Sequence, residues 1–228
     1  MDITFLGHAC FLLEADGTRV LIDPFLTGNP KAAKKADEVE ADVILLTHGH
    51  GDHIGDTVDI ARRTGATVVA IPELANEITG DLGEDHPVLD PNLGGTVRFD
   101  WGWVKLVQAW HTAVSPKGTP HTPAGLIVSL GGKVVYHLGD TALFSDLKLI
   151  AGRGDQIDVA LMCIGGHYTM DRIDGVTAAE FVGARQVIPC HYDTFPPIET
   201  DTGAFKREVE EATDSEVVVL DPGATHAL

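Results

Sequence analysis

The chain has 228 residues, 44% hydrophobic and 22% charged, a composition that supports one sizeable core and excludes disordered, collagen-like and coiled-coil proteins. Its 34 acidic and 16 basic residues give a formal charge of −18, a field that repels nucleic-acid backbones and anionic membrane surfaces. Cys10, Cys163 and Cys190 are odd in number and lack metal-like spacing, and no apolar run reaches signal or membrane length; both point to a soluble, cytoplasmic protein that is not exported.

In chain order, Ile3–Leu6, Cys10–Ala15 and Arg19–Ile22, with a turn at Asp16-Gly17, predict an antiparallel meander. Asp42–Leu46 reads as a buried strand, Thr57–Arg63 as a helix stopped by Gly65, and Thr67–Ile71 as a further strand. Strands are expected at Val104–Trp110, Gly125–Leu130 and Lys133–His137, the last two joined through Gly131-Gly132. Val159–Cys163 and Gln186–Pro189 read as strands, and Ala204–Ala212 as a helix. Short strands alternating with brief helices indicate a mixed α/β fold. With no linker and no long repeat, residues 1–228 form one expected domain of two similar halves.

Chemistry concentrates in Thr47-His48-Gly49-His50-Gly51-Asp52-His53, where four potential metal ligands follow a buried strand. Imidazole and carboxylate suit zinc and other borderline divalent ions. The glycines allow His48 and His50 to converge on one ion, which leaves Asp52 and His53 for a second. A helix cap would need only one such group.

This H-x-H-x-D-H pattern resembles the metallo-β-lactamase superfamily, which implies an αββα sandwich. His111, Asp140 and His191 each follow a predicted strand, where the resemblance places the remaining ligands. Leu6-Gly7-His8-Ala9-Cys10, Ile22-Asp23-Pro24-Phe25, Asn92-Leu93-Gly94-Gly95, Gly139-Asp140-Thr141, Thr169-Met170-Asp171 and His191 to Pro196 narrow it. They are similar to a bacterial and archaeal family of metal-dependent hydrolases, related to L-ascorbate-6-phosphate lactonase and N-acylphosphatidylethanolamine phospholipase D. Cys163 replaces a proline that is common there, and Thr112 a serine.

The resemblance implies two divalent ions, zinc first, with manganese or iron (Fe²⁺) as alternatives. It assigns His48, His50 and His111 to one, Asp52, His53 and His191 to the other, and Asp140 as bridge. A bridging hydroxide would be the nucleophile, and Asp52 the catalytic residue that orients it and takes its proton. The implied activity is hydrolysis of a small ester, lactone, amide or phosphodiester. A nuclease or RNA-processing phosphodiesterase and a non-catalytic metal-binding scaffold are the alternatives, the first opposed by the charge.

His8, His121, His167, Tyr168 and Tyr192 are candidate substrate contacts if their turns open beside the metals. His137, two residues inside its strand, reads as a support for the ligands, and His86 and His226 as solvated. Asp23-Pro24 reads equally well as a strand end or as support for the site. Trp101, Trp103 and Trp110 read as core or subunit contacts, which leaves room for a homo-oligomer. The expected partner is a small-molecule substrate, with neither nucleic acid nor membrane.

Overall fold

The structure is a computed structural model and describes residues 1–151 and 156–228. The first half supplies β1 (Asp2–Gly7), β2 (Cys10–Ala15), β3 (Thr18–Ile22) and β4 (Val43–Leu45), then α1 (Gly51–Ile54) and α2 (Thr57–Thr64). β5 (Thr67–Val69), α3 (Pro72–Leu82), β6 (Val88–Leu89), β7 (Thr96–Phe99) and β8 (Gly102–Gln108) follow. A small ribbon of β9 (Ala113–Val114) and β10 (Pro120–His121) precedes the hairpin β11 (Ala124–Leu130) and β12 (Lys133–His137). The chain ends with α4 (Leu147–Ala151), β13 (Val159–Cys163), α5 (Arg172–Val182), β14 (Gln186–Cys190), α6 (Thr202–Ala212), β15 (Glu216–Val217) and β16 (Thr225–Ala227).

These strands make two seven-stranded sheets, ordered β16-β1-β2-β3-β4-β5-β6 and β15-β14-β13-β12-β11-β8-β7. Each is antiparallel at one side and parallel at the other, from β3 to β6 and from β12 to β15. The two sheets thus repeat one arrangement of strands.

Alternation along the strands explains the layers. Val104, Leu106, Leu126, Val128, Val135, Val159 and Leu161 join the first sheet's Ile3, Phe11, Leu13 and Val20 in one buried cluster between the sheets. Their neighbours Val107, Ile127, Tyr136, Ala160 and Met162 point the other way, onto Leu147, Ala178, Ala179, Val182, Phe205 and Val209 of α4, α5 and α6. Ile60, Leu74 and Ile78 of α2 and α3 pack on the first sheet. Helices therefore cover both outer faces, as an αββα sandwich requires.

Gly131 and Gly132, at φ +55° and +72°, form the β11–β12 turn; two positive φ values in succession are what a tight hairpin asks of glycine. α2 ends where expected, with Gly65 at φ +75°. β8 stops at Gln108, short of the expected Trp110, because the chain turns there: the Trp110 N–H donates to Thr141 Oγ1, and Trp110 stays 61% exposed. His86 and His226 are hydrogen-bonded, to the Ala66 carbonyl and to Gln186 Oε1, and not merely solvated. Among the described residues, no helix is long and apolar enough to cross a membrane.

Candidate metal centre

The site is assembled from strand ends. His48 and His50 follow β4, Asp52 and His53 lie on the short α1, and His111, Asp140 and His191 follow β8, β12 and β14. Ligands collect at this edge because parallel strands end there together and their connections can converge. Three site residues that are not glycine adopt left-handed backbone: His8 (φ +60°), Asp23 (+45°) and His191 (+56°). Such strain persists where surrounding contacts enforce it. The His191 N–H, for example, donates to the His8 carbonyl at 2.7 Å and ties the two halves together.

Two groups of nitrogen and oxygen atoms result. His48, His50 and His111 form one, and Asp52, His53 and His191, with His8, the other; within each, ligand atoms lie within 4.8 Å of one another. His48 Nε2 and His50 Nδ1 are 3.0 Å apart, near the roughly 3.3 Å that two imidazoles on one tetrahedral zinc would show. Asp140 Oδ2 stands between the groups. It lies 3.1 Å from His191 Nε2, 3.4 Å from His53 Nε2, 3.7 Å from His111 Nε2 and 3.9 Å from His48 Nε2.

The hydrogen bonds prepare these rings. Asp23 is fully buried, and its Oδ1 accepts from the Thr47 N–H. Its Oδ2 accepts from the Thr47 hydroxyl at 2.5 Å and from His53 Nδ1 at 2.7 Å. Because the Thr47 proton goes to Asp23, His48 Nδ1 must donate to Thr47 Oγ1, 3.0 Å away. Both rings are thereby held with Nδ1 engaged and Nε2 turned to the cluster.

His53 Nε2, Asp140 Oδ1 and both ring nitrogens of His191 are buried without a hydrogen-bond partner. Orphaned groups of this kind are costly, and several in one place fit a bound cation. Burial depresses the basicity of His48, His50 and His111, as lone-pair donors require. Burial also opposes charge on His53 and Asp140, but it is outweighed: Asp140 and Asp23 raise His53 well above the usual histidine range, while His191 and His53 hold Asp140 well below the usual carboxylate range.

A cavity of about 560 Å³ opens on the cluster, lined by His50, Asp52, His111, Thr112, Asp140, Tyr168, His191 and Phe195. Of the expected substrate contacts, only Tyr168 lines it. His8 is buried behind Asp52, with Nε2 3.1 Å from Asp52 Oδ2 and Nδ1 2.8 Å from Thr194 Oγ1. Burial pulls its pKa down to about 4, so the neutral ring donates to Asp52.

His121 uses both nitrogens elsewhere. Nδ1 donates to the Thr119 carbonyl and Nε2 accepts the Gly49 N–H at 2.8 Å, so it clamps the ligand loop instead of facing substrate. His167 is exposed and packs edge-on against Tyr168, while Tyr192 packs on the outer core. His137 accepts the Gly139 N–H and donates to the Ala9 carbonyl, holding the turn before Asp140. Phe195, Thr112 and Thr194 fall within or beside the motifs that carry the resemblance, but the sequence assigns them no role in the site, because a single aromatic or hydroxyl in a loop carries no spacing signal. Asp23 was legible as an acidic residue ending an apolar run.

A family model described as a beta-lactamase superfamily domain matches residues 2–191. The UPF0173 metal-dependent hydrolase of Methanopyrus kandleri is 49% identical over 231 residues, covering 99% of both chains. That of Carboxydothermus hydrogenoformans is 46% identical over 226 residues, covering 98% of both. The solved structure of Igni18, a metallo hydrolase from Ignicoccus hospitalis, superposes with a TM-score of 0.88 at 36% identity, covering 99% of this chain and 97% of that one. The fold, the His/Asp cluster and these likenesses together place the chain in the UPF0173 metal-dependent hydrolase family of the beta-lactamase superfamily.

Proposed function

We propose that the protein is a dinuclear metal hydrolase of small esters, lactones, amides or phosphodiesters. The observation that carries this reading is the position of Asp140 Oδ2, within 3.9 Å of Nε2 atoms from both ligand groups. One ion would be held by His48, His50 and His111, the other by Asp52, His53 and His191, with Asp140 shared. Zinc suits this all-nitrogen-and-oxygen set, and manganese or iron is the alternative. When bound, such ions lower the pKa of water and polarise a carbonyl or phosphoryl oxygen.

The chain's own residues do the rest. Asp52 faces the cavity, and burial opposes its ionisation, but the His8 hydrogen bond and nearby His53 keep it well below the usual carboxylate range. It is thus a carboxylate at neutral pH, oriented by His8 and able to take a proton from an attacking water. Thr194 fixes His8, and Asp23 fixes His53 and, through Thr47, His48. Asp140 is itself buried, which strengthens its interaction with the cations it would share.

Elemental analysis of protein purified without chelators, followed by a turnover screen of the zinc-, manganese- and iron-loaded protein, tests the reading. Two ions per chain and turnover of at least one small ester, lactone, amide or phosphodiester are expected. At most trace metal with no uptake on titration, or full loading without turnover of any of them, would refute it.

A further inference from the structure

Among the described residues, only three side chains line the cavity without belonging to the His/Asp cluster: Thr112, Tyr168 and Phe195. No lysine or arginine lines it among the described residues. The described basic side chains that form ion pairs do so with other residues, such as Arg63 with Glu40 and Lys133 with Asp158. A carboxylate or phosphate remote from the reacting group would therefore find no cation here, and would meet the field of a chain of charge −18. Two aromatic walls offer an uncharged apolar group a place out of water.

Tyr168 is 55% exposed and lines the cavity, so its ring is open to whatever enters there. The backbone holds it there. Gly166 accepts from the N–H groups of Tyr168 and Thr169, Gly166 donates to the Met170 carbonyl, and Met170 donates to the Thr141 carbonyl beside Asp140. Asp171 then caps α5 through the N–H groups of Ile173 and Asp174. Gly165 passes so close to His191 that a Cβ there would lie 2.1 Å from the His191 carbonyl oxygen. The turn carrying Tyr168 is thus pinned directly to the two loops that present Asp140 and His191. Phe195 is oriented likewise, edge-on to the buried His8 ring at 5.7 Å. A wall fixed before binding loses little entropy on contact.

We infer that Tyr168 and Phe195 form a specificity subsite for an uncharged, apolar or aromatic substituent of the substrate, next to the bond that reacts at the metal centre. The inference rests on the hydrolase reading for that bond, but the subsite is testable without turnover. Hydroxamates chelate metal ions through one head and can carry different tails. Calorimetric titration of the zinc-loaded protein with acetohydroxamate, phenylacetohydroxamate and the 4-carboxylated phenylacetohydroxamate reads the tail alone.

The phenyl tail should bind about tenfold tighter than methyl, the scale on which an apolar pocket separates small groups, and the added carboxylate should remove that gain. Tyr168→Ala and Phe195→Ala should each shrink the phenyl-to-methyl ratio, with Tyr168→Phe retaining it. Equal binding of all tails, tighter binding of the carboxylated one, or an unchanged ratio in both alanine variants would overturn the subsite, as would no binding at all. A tail preference without turnover of any small ester, lactone, amide or phosphodiester upholds the subsite and removes the hydrolase reading. Turnover with a flat tail series does the reverse.

Discussion

His53 Nδ1 lies 2.7 Å from Asp23 Oδ2, and both side chains are fully shielded from solvent. The same carboxylate holds the Thr47 hydroxyl, which in turn accepts a hydrogen bond from His48 Nδ1, so one buried acid orients two rings. Asp23→Asn replaces one acceptor oxygen by an NH₂ that must face a donor. Metal affinity should fall by about 10–100-fold, as it does when such supporting partners are lost. Competition against a chromogenic chelator measures this, and an unchanged affinity would show that the rings orient themselves.

Proton release on metal binding follows from the same pair. Asp140 and Asp23 outweigh burial and raise His53 well above the usual histidine value, whereas burial lowers His48, His50 and His111. At pH 7 the metal-free chain should therefore carry a second ring proton on His53 but not on the other three. Binding must expel it, so affinity should keep rising with pH above about 6.5, where an ordinary histidine would no longer contribute. Calorimetry in buffers of different ionisation enthalpy should show more protons released at pH 7 by the native protein than by His53→Gln. Equal release would mean that His53 is neutral before the ion arrives.

Gly49 tests the clamp. A Cβ at this position would sit 2.8 Å from both His121 Cε1 and Leu74 Cδ1. Gly49→Ala should therefore push away the ring that accepts its N–H, costing about 1–3 kcal/mol of stability through overpacking. His121→Ala leaves that N–H without its acceptor, at a similar cost of about 1–3 kcal/mol. Thermal melts of both variants should show the loss, and a melting point unchanged in either would remove His121 from the support of the ligand loop.

The contrast between His121 and Asp23 shows how far the sequence could be read. The ligand motif was legible because four chemically uncommon residues sit within six positions, and the hairpins because paired glycines and alternation are local signals. α5 was not anticipated: its buried face is built of Gly175, Ala178, Ala179 and Val182, while Ile173 points to solvent. Small residues give a weak periodicity, and the cap on Asp171 is visible only once the helix is known. His8, His121 and Tyr192 share chemistry with true cavity residues, and a sequence does not say which way a ring points. That direction was set by Thr194, Gly49 and the outer core, which are distant in the chain or carry no signal of their own.

The charge distribution bears on substrate size. The dinuclear reading places two cations at the base of a cavity in a chain of charge −18. A small neutral or singly anionic substrate can reach them at contact distance, whereas a long polyanion must also lie across the acidic surface. Screening acts over about 8–10 Å near physiological ionic strength, so salt weakens the repulsion of distributed charge far more than it alters direct coordination. Turnover of a compact phosphodiester such as bis(p-nitrophenyl) phosphate, or of a neutral ester or lactone, should change little between low and moderate salt, and RNA and DNA should not be degraded processively. Any residual cleavage of RNA should rise with salt as the repulsion is screened, opposite to the fall shown by proteins that grip phosphates with basic residues. Efficient cleavage of structured RNA at low salt, with small esters, lactones and phosphodiesters inert, would reverse the assignment in favour of a nuclease.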